Sequence, residues 1–207
     1  MRKLLVLAVA SSTLAIVGTA AAVKPVAVSI SVSRSTVVYG GTVKLSGVLS
    51  THQVGAKVHV LSRAYGATSF SEIASVDTTT GGAWSYTATP AILTRYQAQF
   101  GSATSRAVIV KVRPKIVLEL KSRTARRGTF MVTANGVRPF TGKYALIQRL
   151  TSSGPTTLKH VRLGAGSSAT FTIRLPKRRV RVRAVMPTSQ AAPGYIAGYS
   201  NVWASSS

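Results

Sequence analysis

Apolar residues in this chain recur at every second position, in short runs separated by glycine-containing turns. That pattern can be buried on one face of a β-strand and on no regular helix. Val26, Val28, Ile30 and Val32 alternate with small or polar residues, as a half-buried strand requires, because successive side chains of a strand point to opposite faces. The alternation returns in Val43-Lys44-Leu45-Ser46, in Val58-His59-Val60-Leu61 and from Val108 to Val112. Tyr39-Gly40-Gly41, Thr51 to Gly55 and Thr78 to Gly82 supply the turns. No stretch carries apolar residues at i, i+3, i+4 and i+7 over three helical turns. Short strands at this spacing predict an all-β fold, a sandwich of packed sheets.

The pattern is written twice, at an offset of about 86–88 residues. Gly41-Thr42-Val43 lines up with Gly128-Thr129-Phe130, and Gly55-Ala56-Lys57-Val58 with Gly142-Lys143-Tyr144, which sets Arg63 opposite Arg149. Pro90 falls opposite Pro176, and Thr94-Arg95-Tyr96-Gln97-Ala98 opposite Val180-Arg181-Val182-Arg183-Ala184. Two tandem sandwiches of about seven strands each follow. The boundary is set at Arg113-Pro114, where proline, which has no N–H to donate, interrupts the ladder between Val112 and Ile116. The short linker predicts an end-to-end arrangement with little freedom.

The N-terminus reads as a processing signal. Arg2 and Lys3 precede an apolar run from Leu4 to Val17, broken only by Ser11, Ser12 and Thr13, and Ala20-Ala21-Ala22 offers a cleavage site. The expected division is a signal peptide over 1–22, a first domain over 23–113 and a second over 114–207. A retained membrane anchor is the alternative, but the run is short for a span. The mature chain has no other apolar stretch approaching about 18 residues. The expected location is secreted or extracellular, and any association with a cell wall is non-covalent, since neither a sorting motif nor a hydrophobic tail ends the sequence. There is no cysteine, so disulfides and thiolate chemistry are excluded and the cores alone must hold the fold.

The run Val38-Tyr39-Gly40-Gly41-Thr42-Val43-Lys44-Leu45-Ser46-Gly47 resembles the opening of Big-type bacterial immunoglobulin-like repeats of secreted proteins. Gly55 to Leu61, Thr79 to Tyr86 with its Gly-Ala-Trp-Ser-Tyr form, Pro90, Thr94-Arg95-Tyr96 and Val108 to Val112 fit the same template. Residues 114–207 fit it more loosely: the turn before Phe171 lacks the aromatic form, and an insertion from Pro187 to Gly198 displaces the last strand. The resemblance implies two immunoglobulin-like β-sandwiches. Such repeats serve as spacers, adhesin stalks and accessory modules, so the likeness implies a fold more than a function.

Enzyme chemistry finds little to work with. The carboxylates are Glu72, Asp77 and Glu119, too few and too scattered for the paired acids of glycoside hydrolysis. Asp77, before a glycine turn, is expected to bond the backbone as an Asx turn. His52, His59 and His160 have no partner at zinc-ligand spacing, and the acids are too few for calcium. No Gly-x-Ser-x-Gly elbow or phosphate loop is present. The expectation is a non-enzymatic protein without metal or cofactor. Trp84 and Tyr86 share a parity that points into the core, and Tyr96 takes the place of a tyrosine corner. Tyr195, Tyr199 and Trp203 either pack under the last strand or form an exposed stacking patch.

Charge remains. The chain has 27 lysines and arginines against three acids, a net charge of +24. Residues 23–113 hold nine bases and two acids; residues 114–207 hold sixteen bases and one acid. In Lys177-Arg178-Arg179-Val180-Arg181-Val182-Arg183, alternation sends Val180, Val182 and Ala184 inward and Arg179, Arg181 and Arg183 outward, at a spacing of about 6.6–6.8 Å. Lys121, Arg123, Arg126 and Arg127 form a second cluster. Arginine suits phosphate, sulfate and carboxylate, and a polyanion gains further by releasing counterions. These nine residues are the candidate polyanion-binding site. The candidate partners are acidic wall polymers, anionic glycans, phospholipid headgroups or released nucleic acid. No recognition helix or nucleic-acid motif supports sequence-specific reading. The competing reading is a structural spacer or protein-interaction module whose charge serves solubility and guards sheet edges.

Overall fold

A computed structural model describes residues 25–176 and 179–205. The signal reading over 1–22, and Lys177 and Arg178 of the basic run, lie outside the described residues. The described chain is all-β apart from single helical turns. Its strands up to residue 113 are β1 (Ser31–Val32), β2 (Thr36–Val38), β3 (Val43–Val48), β4 (Lys57–Ala64), β5 (Ser71–Asp77), β6 (Ala83–Ala88), β7 (Thr94–Phe100), β8 (Ala103–Thr104) and β9 (Val108–Arg113). After Pro114 come β10 (Lys115–Arg123), β11 (Arg127–Asn135), β12 (Tyr144–Thr151), β13 (Gly154–Arg162), β14 (Ser168–Arg174), β15 (Arg181–Met186), the turn α1 (Thr188–Ala191), β16 (Gly198–Tyr199) and β17 (Trp203–Ala204).

Each set forms two facing sheets. In the first, β1-β3-β6 faces β2-β9-β7-β4-β5; in the second, β10-β11-β14 faces β13-β12-β15-β16, with β17 also on β15. No ladder joins a described strand before Pro114 to one after it. Alternation fills the space between sheets. Val43, Leu45, Val58, Val60, Trp84, Tyr96, Ala98, Val110 and Val112 are buried in the first sandwich; Leu118, Phe130, Val132, Ala145, Ile147, Phe171, Val182 and Ala184 are buried in the second. Trp84 is therefore core, and half-buried Tyr86 packs against it. Burying a residue of this size removes apolar surface worth roughly 1.5–3 kcal/mol, so these rows dominate stability in a chain without disulfides.

The two sandwiches differ at their ends. In the first, the chain switches sheets: β2 pairs parallel with β9, with Val37 opposite Val112. The second has no such switch, because β10 stays on β11 for its whole length. Its last strand is present but broken into β16 and β17. At the break the Asn201 amide accepts from the N–H and donates to the C=O of Leu118, each at 3.0 Å, tying one sheet to the other.

The insertion after β15 packs on the first sandwich. The Leu93 N–H donates to the Gly194 carbonyl at 2.9 Å, the Ile196 N–H to the Val112 carbonyl at 3.0 Å, and Arg113 to the Ala197 carbonyl. Arg138 holds the insertion from its other side, donating from Nη2 to the carbonyls of Ala191 (2.6 Å) and Pro193 (2.8 Å). A Cβ on Gly194, whose φ is +82°, would stand 2.5 Å from Ile92 Cδ1, so only glycine allows this approach.

Strand register also corrects the sequence repeat. Leu45 pairs with Tyr86 as Phe130 pairs with Phe171, and Val48 with Ala83 as Thr133 with Ser168. The match of Gly41-Thr42-Val43 to Gly128-Thr129-Phe130 is therefore two residues out; the structural counterparts of Gly41 and Thr42 are Arg126 and Arg127. A shift of two keeps every side chain on its face, which is why alternation could not reveal it.

Candidate anion-binding surface

Along β12 the inward side chains are Ala145, Ile147 and then Arg149. Arg149 pairs with Val182, a fully buried residue, so its side chain leaves the strand on the core face. Along β4 the corresponding row is Val58, Val60 and Ser62, with Ser62 opposite buried Tyr96. Matching bulges, between Val60 and Leu61 and between Ile147 and Gln148, fix the correspondence. The sequence match of Arg63 with Arg149 is thus one residue out. Arg63 pairs with Arg95, and its guanidinium lies 4.8 Å from the centre of the Phe70 ring. The second sandwich carries an inward arginine where the first has serine.

Arg149 reaches the far end of the second sandwich, the pole away from Pro114, where β10, β12 and β14 end and β11 and β15 begin. Arg126, Arg127 and Arg174 line a cleft of about 520 Å³ with it, together with Leu175 and Pro176. On the other side of Arg149 a second recess of about 510 Å³ is lined by Thr151, Ser152 and Arg179. The Arg149 Nε is buried and has no hydrogen-bond partner among the described residues. Neither recess is lined by a carboxylate. Arg126, Arg127, Arg174 and Arg179 are exposed and Arg149 is half-buried, so the recesses gather like charges that repel one another, and an anion relieves that repulsion.

The sequence candidates distribute unevenly. Arg126 and Arg127 enter this cleft, and Arg179, just before β15, lines the adjoining recess. Arg181, exposed, begins β15, with Val180, Val182 and Ala184 inward as alternation requires. Arg183 is engaged elsewhere: its Nε donates to Gln148 Oε1 at 3.1 Å, and its guanidinium lies 5.0 Å from the Tyr199 ring centre. The three arginines therefore do not act as one free ladder. Lys121 sits at a bulge in β10 and pairs with Glu119 at 2.9 Å, while Arg123 ends the strand, exposed. Arg149 and Arg174 were missed. The visible signal was a base continuing the apolar row of Ala145 and Ile147.

The late aromatics separate. Tyr195 is buried, with its ring 5.6 Å from Phe140, and Trp203 packs edge-on to Phe130 at 5.0 Å. Tyr199 is exposed, but Arg113, 5.2 Å from its ring centre, and Arg183 flank it, so it forms no open stacking patch.

The acids also have local partners. Asp77 pairs with Lys57 Nζ at 3.0 Å in place of the Asx turn expected, because it closes β5 directly opposite Lys57 and its carboxylate meets the ammonium across the ladder. The His52 Nδ1 lies 2.9 Å from the Gly81 carbonyl. The His59 Nδ1 lies 3.0 Å from Glu72 Oε1, outside hydrogen-bonding geometry, an ion pair only when the ring is protonated. His160 lies on β13 opposite Leu146.

No protein-family model matches the chain, and no curated protein matches it in sequence. Among solved structures, the chain is similar to the tetra-tandem repeat in the extending region of a large adhesion protein. Identity there is 13%, over 87% of this chain and 49% of that one, with a TM-score of 0.37. It is also similar to a mutant Salmonella alpha-2-macroglobulin, at 13% identity over 86% of this chain and 14% of that one, with a TM-score of 0.33. The chain thus spans about half the length of the first and a small part of the second. No helix among the described residues is long and apolar enough to cross a membrane.

Proposed function

We propose that this chain is a non-enzymatic extracellular binding or adhesion module that holds polyanions, such as an acidic wall polymer, an anionic glycan or a phospholipid surface, through its second sandwich. One observation carries the reading. The second sandwich has a single carboxylate, Glu119, and it is already paired with Lys121, which leaves the arginines at the far pole without an acidic partner in the described chain. A pole of this kind attracts anions from a distance, and a polymer that neutralises several charges releases counterions on binding. The export signal expected at residues 1–22 fits an encounter outside the cell.

The competing reading, a spacer or protein-interaction module with incidental charge, draws on Arg183, whose guanidinium is occupied by Gln148 and Tyr199. Retention of the purified chain on heparin, and on wall material, across a salt series separates the two. Steep loss of retention with salt, reduced in an Arg126→Ser/Arg127→Ser variant, supports polyanion binding. Absence of retention at low salt overturns it in favour of the spacer.

A further inference from the structure

Resting on that reading, we infer that the cleft around Arg149 is a discrete site for a phosphate group, so the polyanion is gripped at a defined point and not merely attracted by a charged surface. The two sandwiches supply the argument, because they bring the same pole to different surroundings. In the first, the pole where β4 and β6 end and β3 and β7 begin is partly covered by the insertion of the second: Leu93 bonds Gly194 and Ile92 packs on it, beside an open recess lined by Arg63 and Arg95. In the second, no described segment of the chain covers the equivalent pole.

Register then shows what changed there. Arg126 and Arg127 stand in the places of Gly41 and Thr42, Arg149 in that of Ser62, Arg174 in that of Thr89, and Arg179 in that of Leu93. All five replace uncharged residues, and they surround the two recesses that share Arg149 and Pro176. Solubility alone calls for charges that are spread and solvated. It does not call for a guanidinium on the core face of a strand with its Nε buried and, among the described residues, unpartnered. A buried N–H beside further guanidinium groups describes the complement of an oxyanion.

Phosphate fits better than carboxylate. Its several oxygens accept bonds from more than one fork-shaped donor at once, whereas a carboxylate offers two oxygens in one plane. Leu175 and Pro176 give the cleft an apolar lining for the carbon skeleton that carries the phosphate, and Ser152 lines the adjoining recess, where the Thr151 hydroxyl already donates to the Gly154 carbonyl at 2.6 Å. A phosphate on a polymer and one on a lipid headgroup share this chemistry.

The test titrates the full chain with pyrophosphate, long-chain inorganic polyphosphate, polyglutamate of matched charge, and phosphatidylglycerol or phosphatidylcholine vesicles. The variants are Arg149→Ser, which restores the residue of the first sandwich, Arg149→Lys, which keeps charge without the fork, Arg174→Ser, and Arg34→Ser as a charge-matched control. Thermal unfolding of each checks the fold, and Arg174→Ser, at an exposed strand end, keeps the test open if Arg149→Ser does not fold. The expected result is at least tenfold weaker pyrophosphate binding in Arg149→Ser and Arg174→Ser, weaker binding in Arg149→Lys, no change in Arg34→Ser, and polyphosphate preferred to polyglutamate. Arg149-dependent capture by phosphatidylglycerol vesicles assigns the phosphate to a lipid; capture by polyphosphate alone assigns it to a polymer. If polyphosphate binds with steep salt dependence but the Arg149, Arg174 and Arg34 variants weaken it equally, the site is overturned and diffuse polyanion binding stands. If no polyanion binds at low salt, the broader reading falls with it.

Discussion

The Tyr195 hydroxyl donates a hydrogen bond to the Ala91 carbonyl at 2.7 Å, joining residues 104 positions apart across the contact between the two sandwiches. The same oxygen accepts the Val137 N–H at 2.8 Å. One phenol therefore satisfies a backbone acceptor of the first sandwich and a backbone donor of the second, beneath a surface that leaves the residue 3% exposed. Tyr195→Phe keeps the ring against Phe140 but strands both backbone groups. The expected cost is about 1–3 kcal/mol, read as a lower denaturant midpoint, with greater relative motion of the sandwiches in solution scattering. An unchanged midpoint and profile would show that the bond does not hold the pair together.

Alkaline pH should weaken the fold through two buried phenols. Burial pushes the Tyr96 hydroxyl up to about 12, against the opposing bond from Thr94, with a smaller push from Tyr86. Burial likewise raises Tyr195, partly offset by the Val137 N–H. A folded value above the unfolded value near 10 means that the folded state holds its proton longer. The stabilisation is complete below about pH 10 and is lost as pH rises through the folded value. For Tyr96 the loss between about pH 10 and 12 amounts to about 2–3 kcal/mol. Urea midpoints from pH 8 to 11.5 should fall above pH 10 in the wild type and fall less steeply in Tyr96→Phe.

Gly194 tests the contact sterically. Its φ of +82° and the 2.5 Å approach of Ile92 to any added Cβ make Gly194→Ala strained on two counts. We expect a loss of about 1–3 kcal/mol and slower tumbling from a more open chain. Ile92→Ala in the same background should restore part of it by making room, and the double-mutant cycle measures that recovery.

Trp203 closes the broken last strand over Phe130, at 5.0 Å in an edge-on arrangement. Trp203→Ala should cost about 3 kcal/mol by stripping the cover from fully buried Phe130. By contrast, Asp77→Asn breaks an ion pair whose two side chains are more than half exposed, and should change stability by less than about 1 kcal/mol. Thermal unfolding of both variants under one buffer checks the ordering; similar losses would refute it.

Much of this was legible from alternation. The inward rows of Val58 and Val60, of Trp84 and Tyr86, and of Val180, Val182 and Ala184 can be read from the string, because period two assigns faces without knowing partners. Register is another matter. Arg63 and Arg149 look equivalent in sequence, yet a single residue separates an outward arginine beside Phe70 from an inward one at the far pole. Only their partners distinguish them, exposed Arg95 for Arg63 and buried Val182 for Arg149. Tyr195, Tyr199 and Trp203 were equally undecidable, since their surroundings come from Ala91, Arg113 and Phe130, all distant along the chain.

By itself, then, the amino-acid order determined the secondary structure, the sandwich class, the inward face of most strands and the basic excess of the second half. These follow from local sterics, side-chain parity and a count of charges, which need no knowledge of neighbours. Tertiary structure alone decided that the Pro187–Gly198 insertion packs on the first sandwich while no described segment covers the equivalent pole of the second, and that Arg126, Arg127, Arg149 and Arg174 line one cleft there. Charges separated by tens of residues become a site only when strand pairing brings their ends together, and pairing energy is set by the packing of whole faces rather than by any short segment.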